Sequence, residues 1–343
     1  MRNGIDYCVA PKSLRLWFSA FADLAQPDRV LHIGETRPLA ASLEQEMGFR
    51  DGERQHIVIY SSHASLVRDV DLSGRLIARG VSVASQTPEA AALGVDKVAF
   101  KETLHRIGVA TPRWGDPQTL DSAQPGILLK RRNVTQSHGI HWYKGVVPRC
   151  PGQWYWEDYV LGCEYSVIAF VDIAGATLFP IIWKGDTRQD LLPPWQRPRI
   201  CPDPRLSGTL AVRLLSAATA VLNSVRCWGF VEFEFIVDRT GNVQLIEINP
   251  RVCGTMRLAA MACDIKIFSL PACPTNRPNF VAPTRHALEL PYDGVPFVAD
   301  DLRVVASSRI TFAADTPAEL LELVSKHLPE EKVPTNLSAL LNV

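Results

Sequence analysis

Three glutamates and an asparagine share one face of a β-hairpin predicted over residues 229–251. In the predicted register, Glu234 lies directly across from Glu247, and Glu232 lies across from Asn249. Directly opposed side chains have Cβ atoms roughly 4.5–5.5 Å apart, so two carboxylates placed there repel each other. Mg²⁺ removes this conflict, because it binds carboxylate and amide oxygens and keeps coordination positions open for phosphates. We therefore predict that Glu234, Glu247 and Asn249 bind a metal ion, with Glu232 either joining them or facing solvent.

The hairpin is predicted from the alternation of apolar and polar residues. The apolar residues assigned to its buried face are Phe233, Phe235, Val237, Ile246 and Ile248. Residues 238–242 supply the turn, with Thr240-Gly241 as a two-residue loop. Arg251 stays on the acidic face if the second strand continues, and its guanidinium is suited to hold an anion. The alternative is a solvent-exposed strand face that is acidic without binding a metal.

The composition excludes several classes of protein. The chain has 343 residues, enough for two or three domains with cores of their own. Lys plus Arg and Asp plus Glu both number 36, so no net field draws the protein to nucleic acid or to a membrane surface. The eight cysteines are scattered without a C-x-x-C pair, which argues against a zinc framework or a disulfide scaffold and favours a reducing cytoplasm. No apolar signal segment opens the chain, and the longest apolar run, residues 166–183, is interpreted as a buried two-stranded hairpin around Gly175.

Alternating strands and helices in the first part of the chain predict a small parallel α/β domain. The predicted strands are residues 29–35, 55–61 and 81–84. Helices are predicted from the end of the first strand to Met47, over residues 14–24, and after the capping residue Thr87. Gly34 lies near a strand end, but the Gly-x-Gly-x-x-Gly pattern is absent, so this domain alone is not predicted to bind a dinucleotide.

Two lysines in the middle of the chain are placed to neutralise phosphate. Lys97 opens a predicted helix, and Lys130 ends a buried strand, from which its ammonium would project into a cleft. The polar loop 131–138 and Gly139 follow, and backbone N–H groups of such a loop can cradle phosphate oxygens. The alternatives are an exposed helical lysine at position 97 and a solvated loop histidine at His138.

A proline-rich segment, residues 193–204, is predicted to be a loop over the active site. It is too irregular for a regular element, and long loops inside compact domains are often functional. Lys184 and Arg188 precede this segment. They are interpreted either as facing a transferred phosphate or a substrate carboxylate, or as ordinary surface residues.

Four motifs in this order resemble the ATP-grasp superfamily. They are Asp96-Lys97, Lys130, Glu157 through Glu164, and Glu234 through Arg251, and the resemblance covers roughly residues 80–265. It implies an α/β fold with the three-subdomain ATP-grasp architecture. The N-terminal parallel α/β pre-grasp domain would be residues 1–94, the small lid subdomain residues 95–160, and the C-terminal subdomain, with the metal site and a C-terminal extension, residues 161–343.

The same resemblance assigns roles to individual residues. The residues assigned to ATP are Lys97, Lys130, Ser137, His138, Gly139, Glu157, Tyr159, Val160 and Glu164. The residues assigned to Mg²⁺, with Mn²⁺ as an alternative ion, are Glu234, Glu247 and Asn249. The residues assigned to catalysis are Arg251, Lys184 and Arg188. Glu157 and the backbone of Tyr159 and Val160 would read the adenine edge, and Glu164 would accept hydrogen bonds from the ribose hydroxyls, because a carboxylate offers only acceptors. The alternative for Glu157 and Glu164 is a pair of solvated strand ends.

The activity implied by the resemblance is ATP-dependent ligation of a carboxylate to an amine through an acyl phosphate. The substrates would be small molecules, with amino acids expected, and the protein would be cytoplasmic, with a homodimer left open. One alternative is another ATP-grasp activity, such as a kinase or a carboxylase-like enzyme. The other is a nucleotide-binding regulatory protein without turnover.

Overall fold

The fold contains three β-sheets with helices packed against them. The computed structural model describes residues 7–11, 30–33, 56–61, 63, 65–80, 82–120, 124–134, 139–267, 270, 277–293, 297–298, 303–306 and 309–343. The helices of these residues are α1 (Leu66–Ala78), α2 (Pro88–Val95), α3 (Lys97–Arg106), α4 (Gly208–Ser224), α5 (Met256–Cys263), α6 (Pro317–His327) and α7 (Leu337–Leu341). Within this part of the chain, no helix is long and apolar enough to cross a bilayer.

The first sheet is parallel and is formed by the beginning of the chain. Its strands are β1 (Tyr7–Pro11), β2 (Val30–Ile33), β3 (His56–Ile59) and β4 (Ser82–Ala84), in the order β2-β1-β3-β4. Strand β1 was not predicted. The helices predicted over residues 14–24 and up to Met47 lie outside the described residues. Helix α2 begins as predicted, because the side chain of Thr87 accepts a hydrogen bond from the backbone N–H of Ala90.

The second sheet is small and antiparallel. Its strands are β5 (Trp114–Gly115), β6 (Ile127–Arg131), β7 (Ile140–Trp142) and β8 (Trp154–Asp158), in the order β5-β8-β6-β7. Leu120, Ile127, Leu129 and Tyr143 form its own small core. Helix α3 precedes this sheet and is capped by Asp96, whose carboxylate accepts from two backbone N–H groups and also pairs with Arg132 at 2.7 Å.

The third sheet is the largest and carries the main core. Its strands are β9 (Gly162–Asp172), β10 (Gly175–Leu178), β11 (Ile182–Asp186), β12 (Arg199–Cys201), β13 (Gly229–Asp238), β14 (Val243–Asn249), β15 (His286–Pro291), β16 (Phe297–Val298), β17 (Arg303–Ala306) and β18 (Arg309–Ala314). Their order is β14-β13-β9-β11-β12-β15-β18-β17-β16, with β10 paired to β9. Strand β9 is buried on both faces, with Val167 in the core under α4 and Ile168 in the core under α5.

One sequence prediction for this sheet is confirmed in part and another is wrong. Strands β9 and β10 form the predicted antiparallel hairpin at Gly175, but the apolar run 166–183 also reaches a third strand, because β11 begins after Pro180, which has no N–H to continue a ladder, and pairs with β9 as well. The proline-rich segment is not wholly irregular. It contains strand β12, which joins β11 to β15.

The hairpin of β13 and β14 has the predicted register at its acidic end but a different turn. Glu232 pairs with Asn249 and Glu234 with Glu247, as predicted. However, Val237 pairs with Val243, so the loop is one residue longer than the predicted two-residue loop, with Gly241 at a φ of 84°.

A β-bulge at Ile246 compensates for the longer loop. Phe235 pairs with Leu245, and the next pair is Glu234 with Glu247, so Ile246 is the extra residue. The assignment of Ile246 to the buried core face is therefore wrong. Leu245 is the residue that is fully buried in the core there, and Ile246 lies on the wall of a cavity.

Candidate active site

A cavity of about 110 Å³ lies between the small sheet and the acidic end of the large one. The predicted site residues that line it are Lys97, Lys130, Glu157, Tyr159, Val160, Glu164, Arg188, Glu234 and Glu247. Lys184 and Asn249 lie behind this wall and contact Glu234, the lysine through an ion pair and the asparagine through a hydrogen bond, and Arg251 in turn donates to Asn249. Gly139 follows the loop and accepts a hydrogen bond from the N–H of Arg131 at 3.1 Å. Ser137 and His138 lie outside the described residues.

Each of the two opposed carboxylates is paired with a lysine. The ammonium of Lys97, at the start of α3, lies 2.7 Å from Glu247, and that of Lys184, on β11, lies 2.7 Å from Glu234. These lysines come from different elements and relieve the repulsion that the register creates. The acidic end of the hairpin is therefore a site of concentrated and partly balanced charge on the cavity wall.

Glu232 is held inside the sheet rather than facing solvent. The hydroxyls of Ser166 and Thr255 donate to it at 2.7 and 2.6 Å. Burial disfavours its charge, but the Lys184 ammonium and these hydroxyls hold the pKa of Glu232 at about 2. Glu232 is thus a fixed negative charge behind Lys184, and its oxygens are already engaged.

The donor set fits a hard divalent cation. Burial, and the like charges of Glu232 and Glu247, raise the pKa of Glu234 to about 7 despite Lys184, so an additional positive charge is favoured beside it. In the described part of the chain, no three His, Cys, Asp or Glu side chains meet as a ready-made metal cluster. A bound ion would therefore depend on Glu234, Glu247, the Asn249 amide and oxygens from a phosphate ligand. Asn249 is oriented by its contacts, because it donates to Glu234 at 2.9 Å and accepts from Arg251 at 2.9 Å.

The raised pKa of Glu234 predicts how stability changes with pH. The folded state binds this proton more tightly than an ordinary carboxyl of pKa 4.5 does, so Glu234 lowers the free energy of unfolding as the pH rises from about 4.5 to about 7. We expect Glu234→Gln to lack this decrease when urea unfolding is compared with wild type across that window. Glu232, whose lowered pKa changes stability with pH in the opposite direction, is present in both proteins, so its contribution largely cancels in the difference between them. A difference between the two proteins that does not vary with pH would contradict the assignment.

A buried chain of alternating charge fixes Lys130. Both oxygens of Glu157 are paired, one with Lys130 and the other with Lys101 at 2.5 Å. Lys101 also donates to Thr111 at 2.8 Å, and burial lowers its pKa against the attraction of Glu157. In this arrangement Glu157 anchors Lys130. Its predicted contact with an adenine edge stays a prediction, as do those of the Tyr159 and Val160 backbone; the N–H of Tyr159 donates to the carbonyl of Gly126 at 2.7 Å.

Lys101 was not predicted, although a signal for it was present. It lies four residues after Lys97 on α3, so both side chains point from the same helix face toward the cavity. Lys101 is 0 % exposed and is the deeper of the two.

Replacing Lys101 by Met is expected to destabilise the fold. The substitution keeps most of the volume but leaves Glu157 buried with one partner fewer, which we expect to lower the free energy of unfolding by roughly 3 kcal/mol. Urea unfolding measures the effect, with the exposed helical lysine variant Lys326→Met as the matched control. In the double variant with Glu157→Leu, the loss of unfolding free energy should be smaller than the sum of the losses in the two single variants, because the two residues form one pair. Equal effects of the Lys101 and Lys326 variants would contradict the role.

The proline-rich segment covers one side of the cavity, as predicted. The cavity wall includes Pro194 and Arg197 of this segment, together with Leu191 and Leu192 just before it. Arg197 pairs with Glu164 at 2.6 Å. Arg309 on β18 secures the segment by donating to the carbonyls of Trp195 and Arg197. The predicted role of Glu164 toward ribose stays a prediction, and Arg197 is the cation that balances this carboxylate.

Comparison with known proteins identifies the fold. No protein-family model matches the chain, and no curated protein matches its sequence. N5-carboxyaminoimidazole ribonucleotide synthetase from Thermotoga maritima has a similar structure, with a TM-score of 0.67 at 15% identity over 94% of this chain and 97% of that one. The L-amino acid ligase from Bacillus licheniformis has a TM-score of 0.68 at 13% identity, over 95% of this chain and 97% of that one. A biotin carboxylase–ATP complex from Campylobacter jejuni has a TM-score of 0.69 at 13% identity, over 94% of this chain and 90% of that one. The chain has the ATP-grasp fold.

Two residues near this cavity differ in how they are held. Arg188 lines the cavity but is about half exposed and pairs with Asp190 at 2.6 Å, so its predicted role toward phosphate stays a prediction. His63, just beyond β3, was not predicted. Burial, followed by the positive charges of Arg251 and Lys97, lowers its pKa, so His63 is a neutral neighbour of the site. Its position after the end of a parallel strand is a signal that sequence reasoning could have used.

Proposed function

We propose that this ATP-grasp chain is an ATP-dependent ligase that joins a carboxylate to an amine. The observation that carries the proposal is the opposed pair Glu234 and Glu247 at the end of the cavity, with Arg251 joined to it through Asn249. Such a site can gather the charges of a transferring phosphoryl group and of an acid in one place. The ligase and carboxylase structures that share the fold support the proposal.

The three-subdomain architecture is part of the same proposal. The parallel sheet would belong to the pre-grasp domain (1–94), the small antiparallel sheet to the lid (95–160), and the large sheet to the C-terminal subdomain (161–343). The position of the cavity, between the small and large sheets, supports this division.

The charged and polar residues of the site would have different roles. Glu234, Glu247 and Asn249 would hold Mg²⁺, which would neutralise phosphate oxygens when bound. Lys97 and Lys130 would contact the phosphates, with Lys130 kept in place by Glu157. An oxygen of the acid's carboxylate would attack the γ-phosphorus of ATP, forming the acyl phosphate as the bond from that phosphorus to ADP breaks. The amine would then attack the carbonyl carbon of the acyl phosphate, forming the C–N bond as the C–O bond to phosphate breaks, and would lose one proton. Arg251 and Lys184 would balance charge on the acid and on the departing phosphate.

The wall of the cavity supports a ligase over a simple ATPase. The proline-rich segment covers the site, and Trp142 of the small sheet donates to the carbonyl of Gln189 just before that segment at 2.9 Å. An acyl phosphate hydrolyses when water enters, so a covered site protects it for the amine.

Hydroxylamine tests the proposal, because it is a small amine that traps an acyl phosphate. Purified protein with Mg-ATP, hydroxylamine and pools of small carboxylic acids should release ADP and form a hydroxamate of one acid. Thermal melting with and without Mg-ATP measures nucleotide binding separately, since a bound ligand stabilises the fold by mass action. A stable phosphorylated product without hydroxamate would indicate a kinase. Stabilisation by Mg-ATP without any turnover would indicate a nucleotide-binding regulator.

A further inference from the structure

Glu289 on β15 lies at the centre of a buried cluster of charged groups that the proposed mechanism does not use. Its side chain is 0% exposed, and three arginines donate hydrogen bonds to its carboxylate. Arg199 and Arg309 reach one oxygen, Arg199 at 2.9 Å, and the Nε of Arg257 reaches the other at 3.1 Å. Thr311 donates to that second oxygen at 3.1 Å. One carboxylate thus holds three guanidiniums.

The position of each guanidinium in this cluster depends on the Glu289 carboxylate. Burial disfavours the charged form of Glu289, but the three guanidiniums attract it and hold its pKa below the usual value. If the carboxylate lost its charge, three buried cations would repel one another at short range, and such uncompensated charge is costly. Removing the charge of Glu289 should therefore displace at least one of the arginines.

Arg309 is the arginine that connects this cluster to the active site. Its Nε donates to the carboxylate of Glu289, and a terminal nitrogen donates to the carbonyl of Glu289 at 3.1 Å. Its terminal nitrogens also donate to the carbonyls of Trp195 and Arg197, the second at 2.7 Å. A guanidinium presents its donors in a rigid, planar fork. The contacts with Glu289 therefore determine where the donors to the proline-rich segment point.

The proline-rich segment is a stretch that needs donors from outside. Pro193, Pro194 and Pro198 have no N–H, so the segment can donate few backbone hydrogen bonds to the rest of the protein. The N–H groups of Gln196 and Arg197 bond to carbonyls of the segment itself, at 2.9 and 3.3 Å. Its remaining carbonyls are acceptors, and a guanidinium that binds two of them attaches the segment to the large sheet.

The attachment also fixes a side chain of the cavity wall. Arg197 lines the cavity, and its terminal nitrogens donate to Glu164 at 2.6 Å and to the carbonyl of Asp186. Gly185, at a φ of 93°, allows this close approach, because a Cβ there would lie 3.1 Å from the Cδ of Arg197. Pro194 lines the same wall. Displacing the segment would therefore open this side of the cavity to water.

We propose that Glu289 and Arg309 are positioning residues that keep the proline-rich segment closed over the active site and so protect the acyl phosphate from water. This inference rests on the proposed ligase function. Neither residue is among the described residues that line the cavity, so Glu289 acts by orienting Arg309, and Arg309 acts by binding the carbonyls of the segment.

The reaction that this attachment prevents is hydrolysis of the acyl phosphate. A water oxygen attacks the carbonyl carbon in place of the amine, and the C–O bond to phosphate breaks. The free acid and phosphate leave with one proton released, and ATP is consumed without a ligated product. An open segment thus raises the consumption of ATP when no amine is present.

Chymotrypsin tests the attachment without any substrate, because Trp195 is 41% exposed and is followed by a residue other than proline. Cleavage after Trp195 in the native protein requires local opening, and its rate follows the population of the open form. Arg309→Lys keeps a charge beside Glu289 but loses the fork that reaches two carbonyls. We expect cleavage, followed by mass spectrometry, to be at least about 10-fold faster in this variant, the effect of one lost charge-assisted hydrogen bond.

Arg257→Lys is the matched control. Arg257 is similarly buried and binds the same carboxylate, but none of its described hydrogen bonds reaches the proline-rich segment, so this variant should be cleaved at the wild-type rate. Glu289→Gln should be cleaved as fast as Arg309→Lys, and the double variant no faster, because both residues act through one attachment. If Glu289→Gln does not fold, Glu289→Asp, which withdraws the carboxylate from Arg309 while keeping its charge, takes its place.

Two rates measure the protection of the acyl phosphate, with the acid that forms a hydroxamate in the screen of small carboxylic acids. ADP release without an amine reports attack by water, and hydroxamate formation with hydroxylamine reports attack by an amine. We expect the ratio of the first rate to the second to rise at least about 10-fold in Arg309→Lys and to stay at the wild-type value in Arg257→Lys. A merely structural role would lower both rates together and leave the ratio unchanged.

The outcomes separate this inference from the proposed function. Wild-type cleavage after Trp195 in Arg309→Lys overturns the inference and leaves the ligase function standing. Faster cleavage with an unchanged ratio of the two rates also overturns it, because the segment would then be attached without protecting the intermediate. No hydroxamate from any acid with the wild-type protein rejects the ligase function and, with it, the protective role of Glu289 and Arg309.

Discussion

Replacing Glu247 by Gln is expected to lower the rate of ADP formation by about 10²–10³-fold, the usual scale for loss of one charge-stabilising group in an active site. Glu247 is one of two carboxylates that face each other on the cavity wall, and the amide could not supply the negative charge that would help to hold a divalent ion there. Steady-state ADP release over a range of Mg²⁺ concentrations measures the effect, with the exposed Glu322→Gln on α6 as the matched control.

The stability of the Glu247 variant should change little, which separates catalysis from folding. The substitution removes repulsion toward Glu234 and also removes the ion pair with Lys97, and these two effects have opposite signs. We therefore expect the free energy of unfolding to stay within about 1 kcal/mol of wild type. Wild-type turnover in a folded Glu247→Gln protein would remove Glu247 from the mechanism.

Arg251→Ala should reduce hydroxamate formation by at least about 10²-fold while Mg-ATP binding persists. Arg251 lies outside the lining of the larger cavity, yet it donates to Asn249 and lines a second, smaller cavity beside the ends of β3 and β4. Its loss should therefore affect the acid and the departing phosphate more than the nucleotide. Hydroxamate yield and the thermal shift with Mg-ATP are the two measurements, and Arg75→Ala, an exposed arginine on α1, is the control.

The ratio of hydroxamate to ADP formed by the Arg251 variant distinguishes a role toward the acid from a role toward the nucleotide. Continued ADP release without hydroxamate would mean that phosphoryl transfer survives and that the acid is no longer protected or positioned. Equal losses of hydroxamate formation and nucleotide binding would instead assign Arg251 to the nucleotide site, against the geometry.

The acidic end of the hairpin illustrates how a prediction can be right through two errors. The predicted two-residue loop is too short by one residue, and the β-bulge at Ile246 is absent from the prediction. Each error shifts the register by one residue, in opposite directions, so Glu234 still faces Glu247. Turn residues and alternation limit the register locally, whereas a bulge depends on packing across the sheet, where Leu245 takes the core position.

Several features of this protein follow from sequence alone because neighbouring residues determine them. The cap of Asp96 on α3, the strand that carries Lys130 at its end, and the acidic strand face at 232–249 are all properties of short stretches. A short stretch encodes its own periodicity and capping, so the motifs and their order could be recognised in the sequence, and their resemblance to the ATP-grasp superfamily implied the fold.

Only the tertiary structure decided which charges meet. Glu157 pairs with Lys101 and Lys130, Glu164 with Arg197, and Glu234 with Lys184, and none of these pairs is implied by spacing. The reason is physical: a side chain's partner is set by how sheets and helices from distant parts of the chain pack together, and burial makes it costly to leave one member of such a pair without the other. The small cavity beside Arg251 arises in the same way, because its wall joins the ends of β3 and β4 to the large sheet, and no single stretch of sequence contains it.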